Sequence, residues 1–123
     1  MARASLISIV DDDDALRISL VSLIRSVGFR ALSFTSAEAF LSSPQARESD
    51  CLLLDVRMPG MNGLELQRQL VAANWRLPII FITSHAADDA RVAALAAGAA
   101  GYLYKPFRDA ELLNVMEAAL RTP

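Results

Sequence analysis

Asp11, Asp12, Asp55, Thr83 and Lys105 occupy one kind of position in this sequence, directly after a short apolar run. Leu6-Ile7-Ser8-Ile9-Val10 leads into Asp11 and Asp12, and Leu52-Leu53-Leu54 leads into Asp55. Ile79-Ile80-Phe81-Ile82 leads into Thr83, and Gly101-Tyr102-Leu103-Tyr104 into Lys105. If these runs lie side by side, three carboxylates, a hydroxyl and an amine share one edge. Two carboxylates ~4 Å apart repel by about 4 kcal/mol at an effective dielectric of about 20, so such a site demands a proton or a cation. Oxygen ligands without His or Cys favour Mg²⁺, which keeps several waters and is often completed by a substrate phosphate. A carboxylate can also be a nucleophile, and aspartyl phosphate is an established intermediate of phosphoryl transfer. In that chemistry Lys105 and the metal would neutralise the transferred group, and the Thr83 hydroxyl would donate to one of its oxygens. Taken singly, Thr83 reads as a strand-end turn residue and Lys105 as a solvated lysine; the convergence of four run ends favours a shared site. Asp13 and Asp14 read as helix-capping residues, where negative charge opposes the helix dipole favourably.

The elements that must position these groups follow from period counting. The four apolar runs are short, and those at Leu6–Val10 and Ile79–Ile82 are rich in β-branched residues, so they read as strands buried on both faces. Residues 29–34 supply a further strand. Between them the period becomes helical. Leu16, Leu20, Leu23, Ile24 and Val27 precede Gly28, which suits a left-handed cap. Thr35 and Glu38 fit a capping box before Ala39, Phe40 and Leu41, and Ser42-Ser43-Pro44 ends that helix. Met58-Pro59-Gly60-Met61-Asn62-Gly63 is a turn-rich loop before a helix carrying Leu64, Leu66, Leu70 and Val71. Asp88 is placed to cap a helix containing Val92 and Leu95 that Gly98 closes. Asp109 is placed to cap the last helix, whose inward face is Leu112, Leu113, Met116, Ala119 and Leu120. Five strands alternating with five helices imply an α/β, doubly wound fold, with right-handed crossovers and helices on both faces of a parallel sheet. Ligands of such sheets bind outside the carboxyl ends of the strands, where the polar residues collect.

Composition limits what else the chain can be. Its 123 residues, 54% hydrophobic and 21% charged, suit one globular domain that needs no disulfide or metal for stability. A formal net charge of −2 argues against a grip on phosphate backbones, so no direct nucleic-acid binding is expected. Cys51 is a single cysteine flanked by leucines and reads as a small core residue. No apolar stretch approaches the ~20 residues of a membrane span, so the expected location is the cytoplasm.

Val10-Asp11-Asp12-Asp13, the segment from Asp55 through Arg57-Met58-Pro59 to Gly63, Ile82-Thr83-Ser84 and the segment from Gly101 through Lys105-Pro106 to Phe107 form a combination of motifs. Together they resemble the receiver domains of two-component response regulators, over nearly the whole chain. The resemblance implies a flavodoxin-like (βα)5 three-layer sandwich with strand order 2-1-3-4-5. It implies that Asp55 accepts a phosphoryl group from a phosphohistidine on a sensor histidine kinase. It further implies that Asp11, Asp12, Asp55 and the backbone carbonyl of Arg57 hold Mg²⁺, that Lys105 contacts the phosphoryl group, and that Thr83 and Tyr102 form a switch pair. A lysine that must turn back toward the site just before a proline is a candidate for a cis bond, which similar receivers have at the position of Lys105–Pro106.

Ser36-Ala37-Glu38-Ala39-Phe40-Leu41, Arg57-Met58-Pro59 and Thr83-Ser84-His85 are most similar to the FixJ-type subgroup, whose receivers usually precede a helix-turn-helix DNA-binding domain. Because the sequence stops at Arg121-Thr122-Pro123, the expectation is one receiver domain over residues 1–123 without an output domain. The resemblance implies a phosphoacceptor switch, either free-standing or excised from a longer regulator, that controls a transcriptional output partner and assists only its own phosphorylation and dephosphorylation. FixJ-type receivers also imply a phosphorylation-dependent homodimer, here through residues 88–97 and Gly101–Tyr104, where alanines permit close approach. Helix propensity accounts for those alanines equally well.

Two other functions share parts of this pattern. A hydrolase of the haloacid dehalogenase type also phosphorylates an aspartate, but it needs a second Asp two residues later, where this chain has Arg57. A flavin-binding module shares the fold, but Asp11 to Asp14 would repel the phosphate its first loop must cradle.

Overall fold

Residues that alternate between two apolar surroundings account for the centre of the molecule. The computed structural model describes residues 4–84 and 88–121, so His85, Thr122 and Pro123 lie outside the described residues. The strands are β1 (Leu6–Val10), β2 (Arg30–Phe34), β3 (Cys51–Asp55), β4 (Ile79–Thr83) and β5 (Gly101–Tyr104). All neighbouring pairs are parallel, in the order β2-β1-β3-β4-β5. Every residue of β1, β3 and β4 is buried, as a strand covered on both faces requires. Along β3, Leu52 and Leu54 join one apolar cluster with Phe40, Leu66 and Phe81, while Cys51 and Leu53 join another with Ile24, Leu112 and Met116. This two-residue alternation makes β3 the shared wall of both cores. Cys51 is fully buried, and burial pushes its thiol up to about 12, which keeps it unreactive.

The helices are α1 (Asp14–Ser26), α2 (Ala37–Ser42), α3 (Gly63–Ala72), α4 (Asp88–Ala96) and α5 (Asp109–Arg121), with a 3₁₀ helix at Pro44–Glu48 that periodicity does not foresee. Asp13 caps α1, its side chain accepting from Leu16 N–H, and Asp14 stands in the first turn. Gly28 and Gly98 take the positive φ expected after α1 and α4. Three expected boundaries move by one residue. Ser36, not Thr35, caps α2: its extended backbone lets the hydroxyl accept from Ala39 N–H at 3.1 Å, which leaves Glu38 one place short of a capping box. The reciprocal box forms instead at α3, between Asn62 and Glu65. Arg108 precedes α5, its carbonyl accepting from Leu112 N–H, so Asp109 is the first helical residue rather than the cap. Asp88 is likewise the first residue of α4.

Of the expected inward residues, Leu20, Ile24, Leu66, Leu70, Leu112, Met116 and Ala119 are buried. Val27 and Val71 are exposed because one follows the end of α1 and the other faces outward in the last turn of α3. On α4 the buried residue is Ala94, whereas Val92 and Leu95 face solvent. Among the described residues no helix is long and apolar enough to cross a membrane.

Candidate functional site

Strand register brings the polar residues together. Val10 pairs with Leu54, so Asp11 emerges level with Asp55; Asp55 pairs with Ile82, and Thr83 pairs with Tyr104, the residue before Lys105. One carboxylate oxygen from each of Asp11, Asp12 and Asp55 lies within 4.8 Å of the others, a set of hard donors that could hold a metal ion. Asp11, Asp55 and Thr83 are buried, and Asp12 is exposed at the mouth.

Lys105 reaches the same cluster from the end of β5. Its Nζ is 2.8 Å from Asp11 Oδ2 and 3.6 Å from Asp55 Oδ2, so one ammonium lies between two of the three carboxylates. The Lys105–Pro106 bond is cis, and the Lys105 N–H donates to the Thr83 carbonyl at 2.7 Å. Asp11 is further fixed by Asp13 N–H, which donates to its Oδ1 at 2.9 Å. Arg57 N–H donates to Asp55 Oδ1 at 3.3 Å, so the loop after β3 folds back over its own last side chain. Burial, followed by the charge of Asp11, pushes the Asp55 carboxyl up to about 6, against the opposing pull of Lys105 and the Arg57 N–H. Three carboxylates share one ammonium here, and a cation would offset the remaining charge.

Tyr102, on β5, lies two strands from Asp55, its ring 5.9 Å from Phe81 and 5.4 Å from Tyr104. Its hydroxyl is buried with no hydrogen-bond partner among the described residues, and burial raises its pKa. An unmatched buried hydroxyl is costly, so this ring has reason to occupy another position when its surroundings change. A cleft beside Trp75 and Arg76, at the other end of the sheet, holds none of these groups.

Three residues bear on the site through contacts that spacing does not foresee. Arg17 donates from Nη1 to the Asp11 carbonyl at 2.7 Å and pairs with Asp14, and only the second contact follows from i,i+3 spacing. Glu38 accepts from Met61 N–H at 3.1 Å, which holds its carboxyl below the usual carboxylate range and ties α2 to the loop after β3. Gly63 begins α3 so close to β3 that a Cβ there would lie 2.2 Å from the Asp55 carbonyl oxygen.

Residues 7–117 match the family described as response regulator receiver domain. Over 119 residues the chain is 47% identical to the response regulator protein TodT of Pseudomonas putida, covering 97% of this chain and 52% of that protein. It is 40% identical over 114 residues to the transcriptional regulatory protein FixJ of Azorhizobium caulinodans, covering 93% of this chain and 54% of that one. The chain spans about half the length of these curated relatives. The crystal structure of FixJ-N superposes with a TM-score of 0.88 at 36% identity, covering 99% of this chain and 98% of that one.

Proposed function

This chain belongs to the response regulator receiver domain family, the phosphoacceptor modules of two-component phosphorelays, and from that premise we propose that Asp55 is its phosphoacceptor. The observation that carries the assignment is the buried Asp55 carboxylate at the end of the central strand, 3.6 Å from Lys105 Nζ and grouped with Asp11 and Asp12. The match over residues 7–117 leaves the hydrolase alternative without support, and residues 1–123 are taken as one receiver domain.

The donor set fits a hard divalent cation: clustered carboxylate oxygens, one of them on a residue whose pKa is raised by burial and then by its like-charged neighbour. Asp11, Asp12, Asp55 and the Arg57 carbonyl would hold Mg²⁺, which when bound supplies charge neutralisation at phosphoryl oxygens. The remaining work belongs to side chains of this chain. An Asp55 carboxylate oxygen attacks phosphorus; the phosphorus–oxygen bond forms as the bond from phosphorus to the kinase imidazole nitrogen breaks, and the electron pair stays on the imidazole. Lys105 moves its ammonium from the carboxylates to the incoming oxygens, and the Thr83 hydroxyl donates to one of them. Tyr102 follows Thr83, changing the surface around β5. The protein thus assists its own phosphorylation and dephosphorylation and turns over no separate substrate.

FixJ, a curated relative, is a transcriptional regulatory protein, and such proteins act where DNA is. The proposed compartment is accordingly the cytoplasm and the proposed output transcriptional. Phosphorylation-dependent homodimerisation through α4 and β5 completes the reading. Intact-mass measurement after incubation with acetyl phosphate and Mg²⁺ tests the central claim: one phosphoryl group is gained, and none by Asp55→Asn or in excess chelator. A gain that survives on Asp11 or Asp12 overturns the assignment.

A further inference from the structure

We propose that Arg17 is a positioning residue for the acidic turn, holding Asp11 in the cation-binding arrangement it makes with Asp12 and Asp55. The proposal rests on the cation reading given above. Four consecutive aspartates follow β1, and nothing in their chemistry decides which of them face the site. Their mutual repulsion favours a spread turn. The guanidinium of Arg17 opposes that spreading by bridging the turn. Nη1 donates to the Asp11 carbonyl at 2.7 Å, and Nη2 pairs with the Asp14 carboxylate.

The two ends of this bridge differ. The Arg17 side chain is 12% exposed, so its fork is largely removed from water, whereas the Asp14 carboxylate is 82% exposed. The bond to the Asp11 carbonyl is therefore the more specific, and the pair with Asp14 steadies the fork and draws that carboxylate toward α1. Asp11 is thereby held at three points: its carbonyl by Arg17, its Oδ1 by Asp13 N–H and its Oδ2 by Lys105. Arg17 itself is built into α1, where its N–H donates to the Asp13 carbonyl at 3.0 Å. The side chain thus closes a ring from the helix back to the strand end. Its planar fork presents two nitrogens at a fixed spacing, one to each acceptor, a geometry that the single nitrogen of a lysine does not reproduce.

Charge and position predict opposite results, which makes the role testable. If Arg17 acted only as a nearby positive charge, its removal would strengthen binding of a cation. As a positioning residue, its removal weakens binding, in line with the roughly tenfold or larger loss seen when groups supporting metal ligands are removed. Calorimetric titration with MgCl₂ should therefore give a dissociation constant about tenfold weaker for Arg17→Met than for wild type. Arg17→Lys should weaken in the same direction, because it keeps charge but not the fork. Leu23→Ala, elsewhere on α1, controls for lost stability: its melting temperature falls while its Mg²⁺ affinity stays that of wild type. Arg17→Met binding as tightly as wild type, or tighter, overturns the proposal, as does Arg17→Lys matching wild type or Leu23→Ala losing affinity equally. No Mg²⁺ binding by the wild-type chain overturns the cation reading and this proposal with it.

Discussion

Asp55 is buried beside a like charge, yet as the proposed phosphoacceptor it would have to ionise to attack phosphorus, and these two demands bear on how the protein responds to pH. Its carboxyl is pushed from an ordinary 3.8 up to about 6, first by burial and then by Asp11. A carboxyl whose folded value lies above its unfolded one holds a proton that the unfolded chain releases, so its contribution to stability is complete below about pH 4 and is lost as pH rises through about 6. Asp55→Asn should therefore stabilise the cation-free protein by about 1–2 kcal/mol above pH 6, with the gain vanishing near pH 4. Denaturant melts across this range measure the difference; an advantage that grows toward acid would contradict the assigned cause. Thr83 makes a second residue-level prediction. Thr83→Ala keeps Asp55 and Lys105, so it should still gain a phosphoryl mass but lose the phosphorylation-dependent change at Tyr102, read as a shift of tyrosine fluorescence or partner binding. Retention of the full change would remove Thr83 from the switch. The site aspartates, Thr83 and Lys105 were legible because each directly follows an apolar run. The Arg17 contact to the Asp11 carbonyl was not, since it depends on where the turn after β1 sends that oxygen.

Elements were legible wherever burial dictated them. The two-residue alternation that puts Leu53 in one core and Leu54 in the other is visible as a continuous apolar run, and the strand order follows from the family resemblance. Cap positions were less legible, because Thr35 and Ser36 offer the same chemistry and only the backbone conformation at Ser36 decides between them. Close packing was not legible at all, and Gly63 is the clearest case. It looks like one of several turn residues, but its N–H donates to the Val56 carbonyl at 2.9 Å and its Cα faces the Asp55 carbonyl. A methyl group there meets backbone that cannot swing aside, so α3 must shift from the end of β3. Gly63→Ala should lower stability by about 2–3 kcal/mol and slow Asp55 labelling, because the same shift moves the acceptor. Gly28→Ala offers the contrast: its φ of +97° strains an alanine, but nothing lies within 4 Å. It should cost about 1 kcal/mol and leave labelling unchanged. Equal labelling by both variants would separate the α3 contact from the site.

At the scale of the whole molecule, the proposed dimer requires that phosphorylation of Asp55 change assembly. Phosphorylation adds roughly two negative charges to a chain whose net charge is already −2, so long-range electrostatics oppose self-association and a local surface must supply it. The face made by α4 and β5 has the required character. Val92 is 66% exposed and Leu95 43%, while Ala94, on the other side of α4, is fully buried and its carbonyl accepts from Gln67 Nε2 at 2.9 Å. That bond ties α4 to α3 and leaves the apolar pair facing outward, next to the strand that carries Tyr102 and the exposed Tyr104. Sedimentation with beryllofluoride, a phosphoryl mimic, should show wild-type protein passing from monomer to dimer. Val92→Arg or Leu95→Arg should keep it monomeric at unchanged melting temperature, because neither side chain is part of the core and an added charge at an apolar contact must be desolvated to form it. Ile18→Arg tests the location, since Ile18 is 70% exposed but lies on α1. It should dimerise as wild type does. A dimer that resists both α4 substitutions but breaks with Ile18→Arg would move the interface to α1, and a monomer under all conditions would leave the switch acting on a different protein rather than on a second copy of this chain.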